Sequence, residues 1–163
     1  MNTYIVYDSQ FGNTEQIAQA IAGTLREFGQ AQAVRVDPAH PLEFQGVDLL
    51  MLGSPTQGFR PTPAMQSLLE KVSHQSLSGL AVACFDTRFR GSLWKHSAAQ
   101  HMAGQLHTMG VEPLVAPESF FVKFTREGKG PLIAGELERA ASWALDIHQH
   151  YEELQPHLAT HSS

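Results

Sequence analysis

Only one cysteine, Cys84, occurs in this chain, so no internal disulfide can form. Basic residues are scarce too: 11 Lys and Arg stand against 16 Asp and Glu, a formal net charge of −5. A nucleic-acid partner calls for a basic patch, and the chain has no surplus from which to build one. No stretch approaches about 18 uninterrupted apolar residues, the length that marks a membrane span. The first residues enter a strand pattern at once, without the charged region or cleavage site of a signal peptide. A cytoplasmic location, with no nucleic-acid partner and no membrane span, is therefore expected. Internal repeats, linkers and low-complexity segments are also missing.

What is there suits a folded domain. Apolar residues make up 42% of the 163 and charged residues 17%, which is ordinary for a globular protein. A chain of this length fits one domain with a sizeable core. Residues 1–154 are expected to form that domain, and 155–163 to be a flexible tail.

The apolar pattern alternates between two periods. Residues 3–8 read as a buried strand, with Tyr4, Ile5, Val6 and Tyr7 in a run. Residues 15–28 read as a helix, with Ile17, Ile21, Leu25 and Phe28 on one face and Gly29 as its stop. A weaker strand at 31–36, an apolar strand at 48–52 and a helix at 61–72 follow. A fourth strand is expected at 80–85 and a helix at 92–109. The fifth strand is expected to begin at 111–116, and a last helix at about 135–154. Strands apolar on both faces, alternating with helices, imply a parallel sheet between helical layers. The expected fold is α/β, a doubly wound five-stranded parallel sheet of order 2-1-3-4-5. Its ligands sit beyond the carboxyl ends of the strands, near the switch between the first and third.

That geometry nominates three loops. The first is Ser9, Gln10, Phe11, Gly12, Asn13 and Thr14. It joins a strand to a helix, so backbone N–H groups and the positive helix end meet at one spot. Ser9 and Thr14 offer hydroxyls, Asn13 an amide, and Gly12 a tight backbone approach. Such a loop cradles a terminal phosphate with neutral donors; a helix cap plus a turn is the other reading. The dinucleotide glycine fingerprint and the P-loop lysine are both absent.

The second loop runs over 53–63 and contains Ser54, Pro55, Thr56, Gln57, Gly58 and Phe59. Its prolines fix a rigid path, and Phe59 either covers a flat ring or packs back on the core. The third, over 86–94, contains Asp86, Thr87, Arg88, Phe89 and Trp94. Two aromatics and two arginines there suit a planar ligand with anionic character. Trp94 reads equally well as the start of the next helix's apolar face.

These loops, in this order on this fold, resemble the flavodoxin family. The first is similar to the family's phosphate loop: a hydroxyl residue, any residue, an aromatic, then Gly-Asn-Thr. The segment from Gly130 to Ala140 also looks like the last loop and helix of such proteins, and no long insertion interrupts the fifth-strand region, as in the short-chain type. The resemblance implies FMN, with Ser9 to Thr14 on its phosphate. Ser54, Pro55, Thr56, Gln57 and Gly58 would flank the ribityl chain and ring, and Asp86 to Phe89 the pyrimidine edge. It also implies electron transfer between redox partner proteins, a reductase and an acceptor, with FMN cycling among its redox states. No catalytic residue follows from it.

Two departures stand out. Flavodoxins typically stack a Trp and a Tyr on the flavin, where this chain offers Phe59, Phe89 and Trp94. They also tend to be acidic around the cofactor, where this chain carries Arg60, Arg88, Arg90 and Lys95. Positive charge favours the reduced, anionic flavin. Arg60 or Arg88 is therefore expected to raise the potential of the last reduction step; docking of an anionic partner or a nucleotide phosphate is the other role open to the arginines.

Other signals are weaker. Cys84 and Arg90 have the spacing of Cys-dependent phosphatases, but Cys84 lies inside an apolar strand and bulky Phe85 and Phe89 intervene. A response-regulator receiver needs paired acids after the first strand, where Asp8 stands alone. The nine histidines form no metal pattern: His148 and His150 are two apart on a helix, and His157 and His161 fall in the tail. An FMN electron carrier leads. An FMN-dependent NAD(P)H or quinone reductase is the alternative, and a flavin-free binding module is the third reading. The glycine-rich third loop typical of those reductases is absent here.

Overall fold

In the computed structural model, residues 1–72, 77–91 and 96–159 are described. The reason the central strands form is burial on both faces. β3 (Leu49–Pro55) is buried at every position. Side chains alternate across a strand, so Leu49 and Met51 enter one core while Leu50 and Leu52 enter the other. The first core is closed by α1 (Asn13–Leu25) and α4 (Glu136–Ala159), through Ile17, Ile21, Trp143 and Ile147. The second is closed by α2 (Pro63–Val72) and α3 (Ala98–Thr108), through Met65, Leu69, Met102 and Leu106.

The remaining strands are β1 (Asn2–Tyr7), β2 (Gln30–Arg35), β4 (Ala81–Phe89), β5 (Glu118–Thr125) and β6 (Gly128–Leu132). The sheet order is β2-β1-β3-β4-β5-β6. The first five strands are parallel in the order expected, and the chain is α/β as read from its sequence.

The sheet has six strands, not five: β6 runs antiparallel to β5 at the edge. Its sequence, Gly128-Lys129-Gly130-Pro131-Leu132, has little strand propensity, and a proline there is tolerable because the outer side of an edge strand has no ladder to feed. β5 also begins later than expected. Residues 111–116 lie outside any strand, and only Leu114 joins the ladder, through its N–H to the Val82 carbonyl at 2.7 Å. Pro113 interrupts that segment and Pro117 follows it, whereas 118–122 alternate and bury Phe120 and Val122.

Two strands outrun their expected ends. β3 includes Gly53, Ser54 and Pro55, and β4 includes Asp86 to Phe89. Pairing of Ser54 with Asp86 and Pro55 with Thr87 carries the ladder past the last apolar residue. The helix expected at 92–109 is observed over Ala98–Thr108, and residues 92–95 lie outside the described part. α4 continues through Pro156 to Ala159. Gly53 is required by packing: a Cβ there would lie 2.1 Å from Cζ of Phe85.

Candidate flavin site

The loop after β1 is built by its own side chains. Gly12 takes φ of +83°, a left-handed turn that a side chain would strain, and precedes the first residue of α1. With no side chain to cap the helix, Ser9 does so: its Oγ accepts from Gly12 N at 3.1 Å and Glu15 N at 3.4 Å. Asn13 Nδ2 donates to the Gly130 carbonyl on β6 at 2.9 Å. The Thr14 and Thr87 hydroxyls lie 2.8 Å apart, fully buried. Of the three polar side chains read as phosphate donors, Asn13 and Thr14 thus also lock the loop to β6 and β4, and Ser9 caps the helix. The backbone N–H groups of Gln10, Phe11, Asn13 and Thr14 have no acceptor among the described residues. With the helix dipole behind them, they form a neutral donor set for an anion.

Arg35, from the end of β2, hydrogen-bonds the Ser9 carbonyl and sits 3.5 Å from Asp8. It holds the loop from outside.

The second loop turns on Gln57, Gly58, Phe59 and Arg60. Gly58 and Phe59 have φ of +52° and +69°, and the ends exchange two hydrogen bonds of 2.8 and 3.0 Å. Both central residues are left-handed, the pattern of a type I′ turn. A phenylalanine there is strained by roughly 1–2 kcal/mol, yet the residue is 46% exposed. Ser54 and Pro55 are buried: Ser54 Oγ donates to the Pro55 carbonyl and accepts from Thr62 N.

Asp86 and Thr87 belong to the scaffold as well. The Asp86 carboxylate is fully buried, and one oxygen accepts from Ala99 N at 2.9 Å at the start of α3. Burial pushes its pKa up, against the hydrogen bonds of Ser97, Ala99 and Ser119 and the charge of Arg88. Arg88 donates Nε to Ser119 Oγ at 3.0 Å and lies 4.0 Å from Asp86.

Between these loops lies a cavity of about 470 Å³ at the carboxyl edge of the sheet. Gln10 and Phe11 of the first loop, Thr56, Gln57, Gly58 and Phe59 of the second, and Arg88 and Phe89 of β4 line it. The structure therefore brings the three sequence segments to one place. Trp94 lies outside the described residues. Two further residues line the cavity, His96 and Lys129, and neither belongs to a motif in the sequence. Lys129 sits in a glycine-rich stretch that gave no strand signal, so nothing tied it to the loops.

Cys84 is fully buried, and burial together with the Asp86 charge pushes its thiol up to about 12. It stays protonated at neutral pH, which excludes a thiolate nucleophile. No metal-binding group of His, Cys, Asp and Glu occurs among the described residues, and no helix among them is long and apolar enough to cross a membrane.

A doubly wound α/β protein with an anion cradle after its first strand and an aromatic-lined cavity beside it is defined by these features. Residues 5–127 match the sequence pattern of the family described as flavodoxin, and the chain belongs to that family. FMN is the cofactor that membership implies, and the role is FMN-binding electron transfer. The donor set and the aromatic walls fit this group: free backbone N–H groups for a phosphate, and Phe11 and Phe59 for a planar ring.

Among solved structures, flavodoxin 2 of Bacillus cereus is 20% identical with a TM-score of 0.77, covering 91% of this chain and 99% of that one. Rubredoxin oxygen:oxidoreductase of Desulfovibrio gigas is 18% identical with a TM-score of 0.76 over 93% of this chain, which spans only 36% of that protein's length. The flavodiiron core Flv1 of Synechocystis is 19% identical with a TM-score of 0.74, covering 94% of this chain and 36% of that one. At these identities the likeness is one of fold. No curated protein sequence matches the chain.

Proposed function

We propose that this protein is a cytoplasmic carrier that shuttles one or two electrons between a reductase and an acceptor protein. The observation that carries this reading is the cavity at the sheet's carboxyl edge, where exposed aromatic rings adjoin the anion cradle. In it the N–H groups of Gln10, Phe11, Asn13 and Thr14 would hold the FMN phosphate, and Phe11, Phe59 and Phe89 would flank the ring. Thr56, Gln57 and Gly58 would line the ribityl chain. Bound FMN supplies the one- and two-electron chemistry. The protein's own part is to bind the phosphate, orient the ring and leave one edge open to a partner.

A second reading has one observation in its favour. A polar cavity of about 420 Å³ shares Gly58, Phe59 and His96 with the first and adds Arg60, Gln100 and His101. Burial and the Arg60 charge hold His101 below the ordinary histidine range, so Arg60 supplies the positive charge there. This cavity suits a nucleotide phosphate, as an NAD(P)H or quinone reductase would need.

Purified protein separates these readings. A yellow protein that releases FMN on heating, is photoreduced, and turns over no NAD(P)H with a quinone is the expected result. Rapid turnover without an added reductase would favour the enzyme. A colourless protein that takes up no FMN would overturn both.

A further inference from the structure

The β5–β6 hairpin brings Lys129 to the flavin cavity. On β6 it pairs with Phe124 of β5, and its Nζ reaches the second loop, donating to the Thr56 carbonyl at 2.9 Å. There it lines the same cavity as Phe11, Phe59 and Phe89. A carbonyl is neutral, so this bond fixes the ammonium in place without cancelling its charge. Lys129 makes no ion pair among the described residues.

The arginines nearby are differently disposed. Arg88 is held by Ser119 with Asp86 4.0 Å away, and Arg60 lines the adjoining polar cavity. Among the described residues, Lys129 is therefore the Lys or Arg lining this cavity for which no ion pair with a carboxylate is seen. Its partial burial shows in a lowered pKa, opposed by the charge of Asp86. In half-buried surroundings solvent screens a charge less, so its effect on a neighbouring anion is larger.

We propose that the Lys129 ammonium selectively tightens binding of the reduced, anionic form of FMN over the oxidised form. The inference rests on the assignment of this cavity to FMN. An opposite charge within several ångströms shifts an equilibrium by the equivalent of about 1–3 pK units. At the low end of that range the discrimination is about tenfold.

The test is the FMN dissociation constant of the full chain, measured with oxidised and with two-electron-reduced FMN. K129M removes the charge, K129Q keeps a donor for the Thr56 carbonyl without the charge, and K129R restores the charge. Apoprotein melting temperatures confirm that each variant is folded. The expected result is that K129M and K129Q weaken reduced FMN about tenfold more than oxidised FMN, while K129R stays close to the parent. By linkage, the two-electron midpoint potential falls by about 30 mV for each tenfold change in that ratio. An unchanged ratio, or equal loss in both forms, would overturn the inference and leave Lys129 a strut for the Thr56 loop. Failure of the parent protein to take up any FMN would instead overturn the cofactor assignment, and this inference with it.

Discussion

The hydroxyls of Thr14 and Thr87 lie 2.8 Å apart in a buried contact that joins the first turn of α1 to the last residues of β4. Residues 73 positions apart thereby set the spacing between the loop after β1 and the β4 wall of the cavity at the sheet's carboxyl edge.

Breaking that contact from one side strands a buried hydroxyl. Thr14→Val or Thr87→Val should each cost about 1–3 kcal/mol in urea unfolding. The double variant should recover part of that loss, because both polar atoms are then gone. Additive single and double costs would show that the two hydroxyls do not interact.

Gly53 is held to glycine by the Phe85 ring, 2.1 Å from where a Cβ would stand. Gly53→Ala should destabilise by about 1–3 kcal/mol through overpacking. Adding Phe85→Leu should relieve part of the clash. Thermal melts of the single and double variants decide this, and a Gly53→Ala melt equal to the parent's would contradict it.

Phe59 should respond with opposite signs in stability and binding. Replacing it with glycine relieves the left-handed strain at φ +69°, so the apoprotein should gain roughly 1 kcal/mol. Loss of the ring should weaken FMN by up to about tenfold, the worth of one aromatic contact. A quench titration of flavin fluorescence reads the second quantity.

Glu136 couples stability to pH. Burial raises its pKa, but hydrogen bonds from Arg139 and Phe121 N, with the charges of Arg139 and Arg90, outweigh this and hold it below the usual value. Its carboxylate accepts from Phe121 N at 2.7 Å and from Arg139 at 2.7 and 3.1 Å, tying α4 to β5. A depressed folded pKa adds stability that is full above the unfolded value near 4.3 and is lost as pH falls through the folded value. Glu136→Gln should therefore cost about 2 kcal/mol at pH 7. That difference from the parent should shrink towards pH 3, as urea midpoints across the range would show.

The strands from β1 to β4 and the cradle after β1 were legible in the sequence because each is a local property. A strand buried on both faces must be apolar throughout, as in Leu49 to Leu52, and a strand running into a helix through Ser9 to Thr14 leaves N–H groups unpaired. What the sequence by itself determined was thus the fold class, the order of the parallel strands and the loop after β1 that leaves N–H groups unpaired. Only the tertiary structure decided where β4 ends, because Asp86 to Phe89 are held in the ladder by their neighbours on β3 and β5 rather than by their own propensity. It alone added β6, whose Gly-Lys-Gly-Pro residues become a strand through pairing with β5. With β6 came Lys129, placed at the cavity beyond the sheet's carboxyl edge by a contact with Thr56 across 73 residues, a distance along the chain at which periodicity carries no information.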